Sequence, residues 1–373
     1  MATLHFEHPG ALAGPPIDWT GPARLLVVRP DNLGDMLMAG PALSALRAAA
    51  PQARIELLAS PAGATAAALL PEVDDVVTAQ VSWQRFDAEP GPPDADLIAE
   101  LRAREYAAAV ILTSFSQSPW PAGYATQLAG IPIRAGTSKE FGGAGLTHWV
   151  PAPDDGLHQV DRALYLLDRL GVPAGPATLH AAVPAAARDA AQAALAGAGV
   201  APDAPYAVLL PGASCPSRRY PADRFRAVAR GLARAGLPVA VSGPGSERHL
   251  VADVVAGEPG VLDLAGALDV PGLAGLLAGA AVAITNNSGG AHLADAVGTP
   301  VAVLFAGTEQ VEQFAPRSVR SAVLGVPTPC TPCRQLRCPF ELQCLDVPPD
   351  EVVDAALRLA IGFPRAAVGS RLP

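Results

Sequence analysis

The sequence predicts two α/β domains, each built on a doubly wound parallel sheet, that face each other across a cleft. Apolar runs of strand length alternate with longer Ala/Leu-rich helical patterns, which is typical of parallel sheets covered on both faces. The alternation weakens between Gly136 and Ala182 and then starts again. The chain has 373 residues, which is enough for two domains of ordinary size.

The elements of each half follow from the positions of these runs. In the first half we predict strands at 25–28, 54–59, 75–77 and 107–112, and helices at 35–49 and 158–170. In the second half we predict strands at 207–210, 239–242, 281–285 and 301–305, and helices at 223–235, 246–255, 288–297 and 350–361.

These elements imply the boundaries of the domains. They divide the chain into an N-terminal extension (1–23), a first domain (24–175), a second domain (176–349) and a C-terminal helix and tail (350–373). The C-terminal helix could pack back on the first domain.

Composition excludes several classes of protein. Half of the residues are apolar and only 16% are charged, which excludes a mainly disordered chain. The net charge is −9 and no run of Lys or Arg occurs, so nucleic acid is not an expected partner. The segment 1–21 does not resemble a signal peptide, and the longest apolar stretch, 272–284, is too short and glycine-rich to span a bilayer. We therefore expect a cytoplasmic protein, with peripheral contact at the inner membrane surface left open.

Glycine-rich loops follow four strands of the second half, at 211–221, 242–247, 285–292 and 306–308. In open parallel sheets ligands bind at the carboxyl ends of the strands. Backbone amides and the dipole of a following helix can meet a phosphate there. Any one of these loops could be simple turn or cap chemistry. Their repetition along one edge predicts a site for a phosphorylated donor.

Asp35 follows Gly34 and opens the first predicted helix. One interpretation is a helix cap or first-turn acid, worth about 0.5–2 kcal/mol. The other is a general base aimed at an acceptor hydroxyl. Spacing alone leaves both open.

Four further polar residues each have a structural and a functional interpretation. Arg218 and Arg219 are either solvated or neutralise a leaving diphosphate, where a cation can replace a metal. Glu247 is a first-turn acid or an acceptor for ribose hydroxyls, and His292 is a helix-start residue or a donor to phosphate. No acidic pair with magnesium-ligand spacing accompanies the loops, so we expect a transfer that needs no metal or other cofactor for catalysis.

Four cysteines, Cys330, Cys333, Cys338 and Cys344, fall within fifteen residues. A disulfide scaffold is not expected in a reducing cytoplasm. Four thiolates could hold a structural zinc or iron, although the spacing differs from that of the standard zinc ribbons. Free or redox-labile thiols and a structural metal both remain open.

Taken together, these motifs resemble glycosyltransferase family nine, the heptosyltransferase family of lipopolysaccharide core assembly. The resemblance runs from about Arg24 to Leu359. It is carried by LLVVRPDNLGDMLMAGPALSALRAAAP, LLPGASCPSRRYPADRFRAVA, VSGPGSERHL, DLAG at 263–266 and TNNSGGAHLADAVGTPVAVLF.

The resemblance implies a GT-B fold, with the acceptor-binding domain first (24–175) and the nucleotide-sugar-binding domain second (176–349). It implies an inverting, metal-independent single displacement. The family's default donor is ADP-heptose, and its acceptor is a glycan or glycolipid such as lipopolysaccharide core. Asp35 matches the catalytic base of the family's Gly-Asp motif.

The resemblance also supplies roles for the later loops. Arg218 matches the basic residue, usually lysine, that holds the diphosphate, and Glu247 matches the acid that meets the nucleoside. Ser288, Gly289 and His292 match the loop that grips the donor phosphates and sugar. The predicted donor-binding set is Ser214, Arg218, Arg219, Gly243, Glu247, Asn287, Ser288, Gly289, Gly290 and His292. The predicted acceptor-binding set is Arg29, Asn32 and Gly34.

One departure from the family bears on function. Where the family usually has Asp before Ser/Thr-Gly, this chain has Asn287. The loss of charge favours a rival hypothesis, a non-catalytic nucleotide-sugar-binding protein on the same fold. A metal- or redox-responsive module at the cysteine run and a sugar epimerase of related fold are further rivals.

Overall fold

The computed structural model describes residues 14–21, 23–84, 94–140, 143–201 and 204–361.

Two compact units make up the structure. Among the described residues, the first holds the chain up to Asp31 together with Pro41–Ala64 and Glu72–Ala177. The second holds Asn32–Gly40, Thr65–Pro71 and the described chain from Thr178 onward. Two short segments from the first half of the sequence, inside the range expected for the acceptor-binding domain, therefore group with the second unit.

The first unit is built on a six-stranded sheet in the order β3-β2-β1-β4-β5-β6, and every neighbouring pair is parallel. Its strands are β1 (Arg24–Arg29), β2 (Arg54–Ala59), β3 (Asp75–Thr78), β4 (Ala108–Ile111), β5 (Ile133–Ser138) and β6 (His148–Pro151). The order reverses between β1 and β4, which is the switch point of a doubly wound sheet.

The second unit repeats this plan with the strand order β12-β11-β10-β7-β8-β9, again parallel throughout. Its strands are β7 (Ala207–Leu210), β8 (Val239–Gly243), β9 (Val261–Ala265), β10 (Val282–Asn286), β11 (Val301–Leu304) and β12 (Ser321–Leu324). The switch point here lies between β7 and β10, the strands that the sequence predicts from continuous apolar runs. The predicted doubly wound parallel sheets are confirmed.

Helices follow most of the strands. They are α1 (Leu33–Met38), α2 (Gly40–Ala49), α3 (Pro61–Ala64), α4 (Ala95–Ala103), α5 (Trp120–Leu128), α6 (Gln159–Arg169), α7 (Ala185–Gly197), α8 (Ala222–Arg234), α9 (Arg248–Val255), α10 (Val270–Ala278), α11 (Gly289–Ala296), α12 (Val311–Phe314) and α13 (Pro349–Ala360). In α8 the fully buried Phe225, Val228 and Leu232 recur at helical spacing and join the core of the second unit. Each contributes about 1.5–3 kcal/mol through burial.

The helix predicted at 35–49 is two helices, α1 and α2, with a break at Ala39. Pro41 has no backbone N–H, so it cannot donate to the carbonyl of Leu37 and continue the ladder of α1. Gly40 adds a residue of low helix propensity at the same point. The break separates the short helix that carries Asp35 from the longer α2.

Several strands escape the sequence prediction. β5 reads IRAGTS and β12 is half exposed, so neither shows the continuous apolar run of a buried central strand. β6 (HWVP) and β9 (VLDLA) are short, and each contains a polar residue, His148 in β6 and Asp263 in β9. Three of these four strands, β6, β9 and β12, lie at an edge of their sheet, and β5 lies next to one.

The C-terminal helix α13 packs against α8 and against β10, β11 and β12. Val352 and Ala356 are fully buried in the core of the second unit. The suggestion that this helix returns to the first domain is thus replaced by burial of its apolar face in the second unit. Of the predicted extension (1–23) and tail (350–373), residues 1–13, 22 and 362–373 lie outside the described residues.

None of the helices in the described part of the chain combines the length and the apolar character that a membrane span requires.

Candidate active site

The candidate site lies at the switch point of the second sheet, between the carboxyl ends of β7 and β10. The loop after β7 is fastened to Asn286, the fully buried last residue of β10. Asn286 Nδ2 donates to the carbonyl oxygen of Pro211 at 2.8 Å, and Asn286 Oδ1 accepts from the backbone amide of Tyr220 at 2.9 Å. One side chain therefore holds both ends of this loop beside β10.

The N-terminus of α11 reaches this switch point because α11 begins three residues after β10 ends. Its first backbone amides have no partner within the helix and are available to an anion. Gly290 allows the close approach, since a Cβ at this position would lie 2.5 Å from Leu210 Cδ1 at the end of β7. Ser288 stands at the N-cap, and its side chain makes no capping hydrogen bond.

Asn287 holds the loop after β10 in place through two hydrogen bonds. Its Oδ1 atom accepts from the backbone amide of Ala306 at 3.1 Å, and its own amide donates to the carbonyl oxygen of Leu304 at 3.1 Å. The side chain is buried. The residue that departs from the family pattern therefore links the loop after β10 to the end of β11.

Asp35 lies in the same unit, because α1 packs directly on α11. Glycines make this contact possible. A Cβ at Gly34 would lie 2.7 Å from His292 Cδ2 and 3.2 Å from Gly289 Cα. His292 is buried, and Asp35, in the first turn of α1, is partly buried. The structure thus brings the predicted base, Gly34 and the start of α11 together.

Arg218 reaches the loop after β11. Its Nε atom donates to Thr308 Oγ1 at 3.1 Å, and its Nη2 atom makes a short hydrogen-bonded ion pair with Glu309. The side chain of Arg218 is 26% exposed and that of Glu309 is 15% exposed. Burial raises the pKa of Glu309 and the charge of Asp35 adds to that rise, so the predicted base lies within the electrostatic surroundings of this ion pair.

Arg219 and Glu247 lie on the other side of the loop after β7. Arg219 donates twice to the carbonyl oxygen of Ala213, through Nε at 3.1 Å and Nη2 at 2.9 Å. Glu247 packs against Gly212, where a Cβ would lie 2.0 Å from Oε2. Burial raises the pKa of Glu247, and the charges of Arg219 and His249 oppose that shift. Arg219 therefore binds the backbone of the loop. Glu247 packs beside it against Gly212, and these two residues form one wall of the site.

Ser214 and Gly243 are the other two predicted donor-site residues near β7 and β8. Ser214 is exposed on the loop after β7. Gly243 ends β8, and a Cβ there would lie 3.0 Å from Glu247 Oε2.

The predicted acceptor-binding residues fall in different units of the fold. Arg29 is buried in the first unit, where its Nε atom pairs with Asp31 Oδ2 at 3.2 Å and its Nη2 atom donates to Ser114 Oγ at 2.9 Å. Asn32 is exposed at the N-cap of α1 in the second unit, and its carbonyl accepts from the amide of Met36 at 3.1 Å.

The four clustered cysteines line one small cavity, which also borders Ser217 and Thr308. Burial raises the pKa of the Cys344 thiol, and the Phe340 amide donates to Cys338 Sγ at 3.3 Å. All five cysteines are free thiols. The thiol set suits zinc or iron chemically. Among the described residues, however, no group of three or more His, Cys, Asp or Glu side chains is placed to hold a metal ion.

The sequence prediction missed three residues of the candidate site at the switch point, Asn286, Thr308 and Glu309. Asn286 lies inside the predicted loop at 285–292, but the motif drew attention to its neighbour Asn287 and no role was assigned to Asn286. Thr308 ends the last of the predicted loops, and Glu309 follows it directly. A search one residue beyond each loop for charged side chains could have found Glu309.

The fold and its site can now be compared with known proteins. Two solved structures share the fold over nearly the whole chain. A family 9 glycosyltransferase from Veillonella parvula has a TM-score of 0.77 at 20% identity, covering 93% of this chain and 99% of that one. The E. coli ADP-heptose lipopolysaccharide heptosyltransferase II has a TM-score of 0.71 at 20% identity, covering 91% and 98%. The fold is thus the GT-B fold, as predicted.

A family model described as glycosyltransferase family 9 (heptosyltransferase) matches residues 95–343, well over half of the chain. The chain belongs to glycosyltransferase family 9. Lipopolysaccharide heptosyltransferase 1 of Pseudomonas aeruginosa is 32% identical over 142 residues, which span 38% of this chain and 39% of that protein. The resemblance stated from the motifs, and the expectation of a glycosyltransferase, are confirmed at the level of the family.

Proposed function

We propose that this chain transfers a sugar from a nucleoside-diphosphate donor to a hydroxyl of a glycan or glycolipid, such as lipopolysaccharide core. The proposed donor is ADP-heptose, the default of the family. One observation carries the proposal: a carboxylate, a guanidinium and a helix N-terminus converge at the switch point of the second unit. They belong to Asp35, Arg218 and Gly289. The E. coli relative described as an ADP-heptose enzyme supports the choice of donor.

The leaving diphosphate needs charge stabilisation when its bond to the sugar breaks. The first amides of α11 and the guanidinium of Arg218 supply positive potential at this point. Together they can take the role that a divalent cation has in other transferases, so the proposed transfer needs no catalytic metal. Arg218 is only 26% exposed and donates to Thr308, so solvent screens its interaction with an anion less than that of a fully solvated side chain.

Asp35 is the proposed general base. It accepts the proton of the acceptor hydroxyl while the hydroxyl oxygen attacks the anomeric carbon. The bond from that carbon to the diphosphate oxygen breaks, and the nucleoside diphosphate leaves with the bonding electrons. Attack opposite the leaving group inverts the anomeric centre. Glu247, in the wall formed with Gly212, accepts from the ribose hydroxyls of the donor in this proposal.

The remaining predicted residues have lesser parts. His292 and Ser288 border the donor phosphates and sugar, and Gly34 keeps α1 against α11. The reaction takes place in the cytoplasm in this proposal, with the enzyme at the inner membrane face when the acceptor is a glycolipid.

The experiment is a panel of ADP-, GDP-, UDP- and dTDP-linked sugars, including ADP-heptose, incubated with wild-type protein and lipopolysaccharide-core acceptors. Release of nucleoside diphosphate together with a glycosylated acceptor is the expected result. NMR of the product gives its anomeric configuration, and retention would exclude the single displacement. Turnover in the presence of a chelator checks metal independence.

Asn287 favours one rival, a protein that binds nucleotide sugars without transferring them, because the family's usual carboxylate is missing there. Its Oδ1 is also occupied by the amide of Ala306. Binding of a nucleotide sugar without transfer to any acceptor in the panel would support this rival and overturn the transferase proposal.

The cysteine cavity raises a separate proposal, a structural zinc or iron held by Cys330, Cys333, Cys338 and Cys344. The shared cavity supports it, whereas the present arrangement of the side chains would have to tighten around a metal. Metal analysis of protein purified without added metal decides the matter. About one equivalent of zinc or iron is the expected result, and a clearly sub-stoichiometric content leaves free thiols.

A further inference from the structure

The guanidinium that should meet the diphosphate already holds an anion of the protein itself. Arg218 donates to Thr308 Oγ1 through Nε and forms its short ion pair with Glu309 through Nη2. Glu309 belongs neither to the predicted donor set nor to the proposed steps of the reaction. Its position therefore calls for a physical explanation.

The loop that carries Glu309 is fixed in place by the cysteine-rich segment. The amide of Cys333 donates to the carbonyl oxygen of Gly307 at 2.9 Å, and the amide of Arg334 donates to that of Thr308 at 3.2 Å. Gly307 packs closely on this segment, since a Cβ there would lie 2.3 Å from Thr331 Oγ1. Glu309 thus extends from a braced backbone toward Arg218.

The charges around Glu309 oppose one another. Burial raises the pKa of this carboxyl, the guanidinium groups of Arg218 and Arg334 lower it in part, and the carboxylate of Asp35 raises it further. An ionised Glu309 is therefore held mainly by its cations in a poorly solvated place. A diphosphate arriving at Arg218 would add negative charge next to it.

We infer that Glu309 is a positioning residue that holds the Arg218 guanidinium at the switch point and competes with the donor's diphosphate for it. This inference rests on the proposed function. In the ligand-free protein Glu309 keeps Arg218 in one rotamer and compensates the charge of this partly buried cation. When the donor binds, the diphosphate takes over the Nη2 side of Arg218, while the Nε bond to Thr308 stays.

The competition has a consequence that a purely structural role lacks. Replacing Glu309 with Gln removes the charge but keeps an oxygen that can accept from Arg218. The variant should then bind a nucleoside diphosphate more tightly than wild type, by about three- to tenfold, because like-charge juxtaposition opposes binding. If Glu309 only supported the fold, the same substitution would leave affinity unchanged or lower it.

The experiment is calorimetric titration of wild type, Glu309→Gln and the control Glu312→Gln, whose carboxylate is exposed in α12. Each protein is titrated with the nucleoside diphosphate that wild type binds most tightly among ADP, GDP, UDP and dTDP, and with the corresponding monophosphate. The diphosphate should gain affinity in Glu309→Gln, the monophosphate should change less than about twofold, and the control should match wild type.

The outcomes separate this inference from the function on which it rests. Unchanged or weaker diphosphate binding by Glu309→Gln, or an equal gain for the monophosphate, overturns the competition and leaves the transferase proposal standing. Failure of wild type to bind any of the four diphosphates overturns the proposed function and the inference with it. Thermal unfolding of the variants shows whether each is folded at the temperature of the titration.

Discussion

Two glutamates of low exposure, the fully buried Glu56 and the partly buried Glu309, lie one in each unit and have opposite surroundings. Glu56 in β2 is fully buried and accepts from Arg24 at 2.8 Å, Arg54 at 2.9 Å, Arg104 at 2.6 Å and Tyr106 at 2.7 Å. These partners gather at the amino ends of β1 and β2, whose first residues are Arg24 and Arg54. This network is a saturated structural site.

Glu309 in the second unit pairs with Arg218, with the charge of Arg334 also acting on it, and lies beyond the carboxyl end of β11. Burial acts to raise the pKa of both glutamates. At Glu56 the hydrogen bonds from Tyr106 and the arginines outweigh burial and lower the pKa, whereas at Glu309 burial prevails and the pKa is raised.

This comparison indicates which carboxylates of low exposure can release their partner to a ligand. A carboxylate whose acceptor positions are filled by four donors at the amino ends of strands has no capacity for exchange. A carboxylate that shares one guanidinium at the carboxyl ends of parallel strands can give that guanidinium to an anion. The second place is also where open α/β sheets bind their ligands.

The largest effect is expected at the exchangeable site. Arg218→Ala should lower kcat/KM for the donor by about 10²–10³, because it removes one preorganised charge aimed at the leaving group. Thermal stability should fall modestly, because the poorly exposed Glu309 loses its ion pair with Arg218 but keeps the charge of Arg334 nearby. Steady-state kinetics with the best donor of the panel measures this. Arg230→Ala, which breaks an exposed pair with Glu258, is the matched control and should keep wild-type kinetics.

At Glu56, the saturated site, we expect a substitution to lower the stability of the protein. Glu56→Gln leaves three arginines around a neutral side chain, so we expect the free energy of unfolding to drop by about 3 kcal/mol. Urea unfolding followed by fluorescence measures the loss. The folded fraction should turn over donor at the wild-type rate. A loss of turnover without a loss of stability would mean that the Glu56 network serves catalysis.

A smaller effect concerns the pH dependence of stability. The folded pKa of Glu56 is lowered, so the stabilisation is present above its unfolded pKa, about 4.3, and is lost as pH falls through the folded value. The difference in unfolding free energy between wild type and Glu56→Gln should therefore shrink as pH is taken below about 4.3. A difference that stays constant down to acid pH would show that hydrogen bonding without charge accounts for the network.

Much of the architecture could be predicted because central parallel strands are continuous apolar runs. β7 was predicted with its observed bounds, and β10 within one residue. Three of the four edge strands were missed, and so was β5 next to an edge, which carries glycine, threonine and serine in place of such a run. Pro41 marks the break between α1 and α2 in the sequence. The apolar residues keep their helical spacing across that break, however, so the sequence predicted one continuous helix.

The site was predicted less completely because its contacts are long-range. Loops at strand ends indicated where the phosphates should bind, and Gly34-Asp35 drew attention to the base. The pairing of Arg218 with Glu309 joins residues 91 positions apart, and that of Asn286 with Tyr220 joins residues 66 apart. No local pattern encodes such pairs. The role of Asn287 was likewise hidden until its contact with Ala306 was seen.

The most direct test of the account is the single-turnover rate of Asp35→Asn with saturating donor and acceptor. Asparagine keeps the size of the side chain but cannot take the acceptor's proton. We expect the rate to fall by roughly 10²–10⁴ while donor affinity stays within about twofold of wild type. The exposed Asp253→Asn, changed in the same way, should keep the wild-type rate. An Asp35→Asn rate equal to that of wild type would contradict the account, because no base would then act at the start of α1.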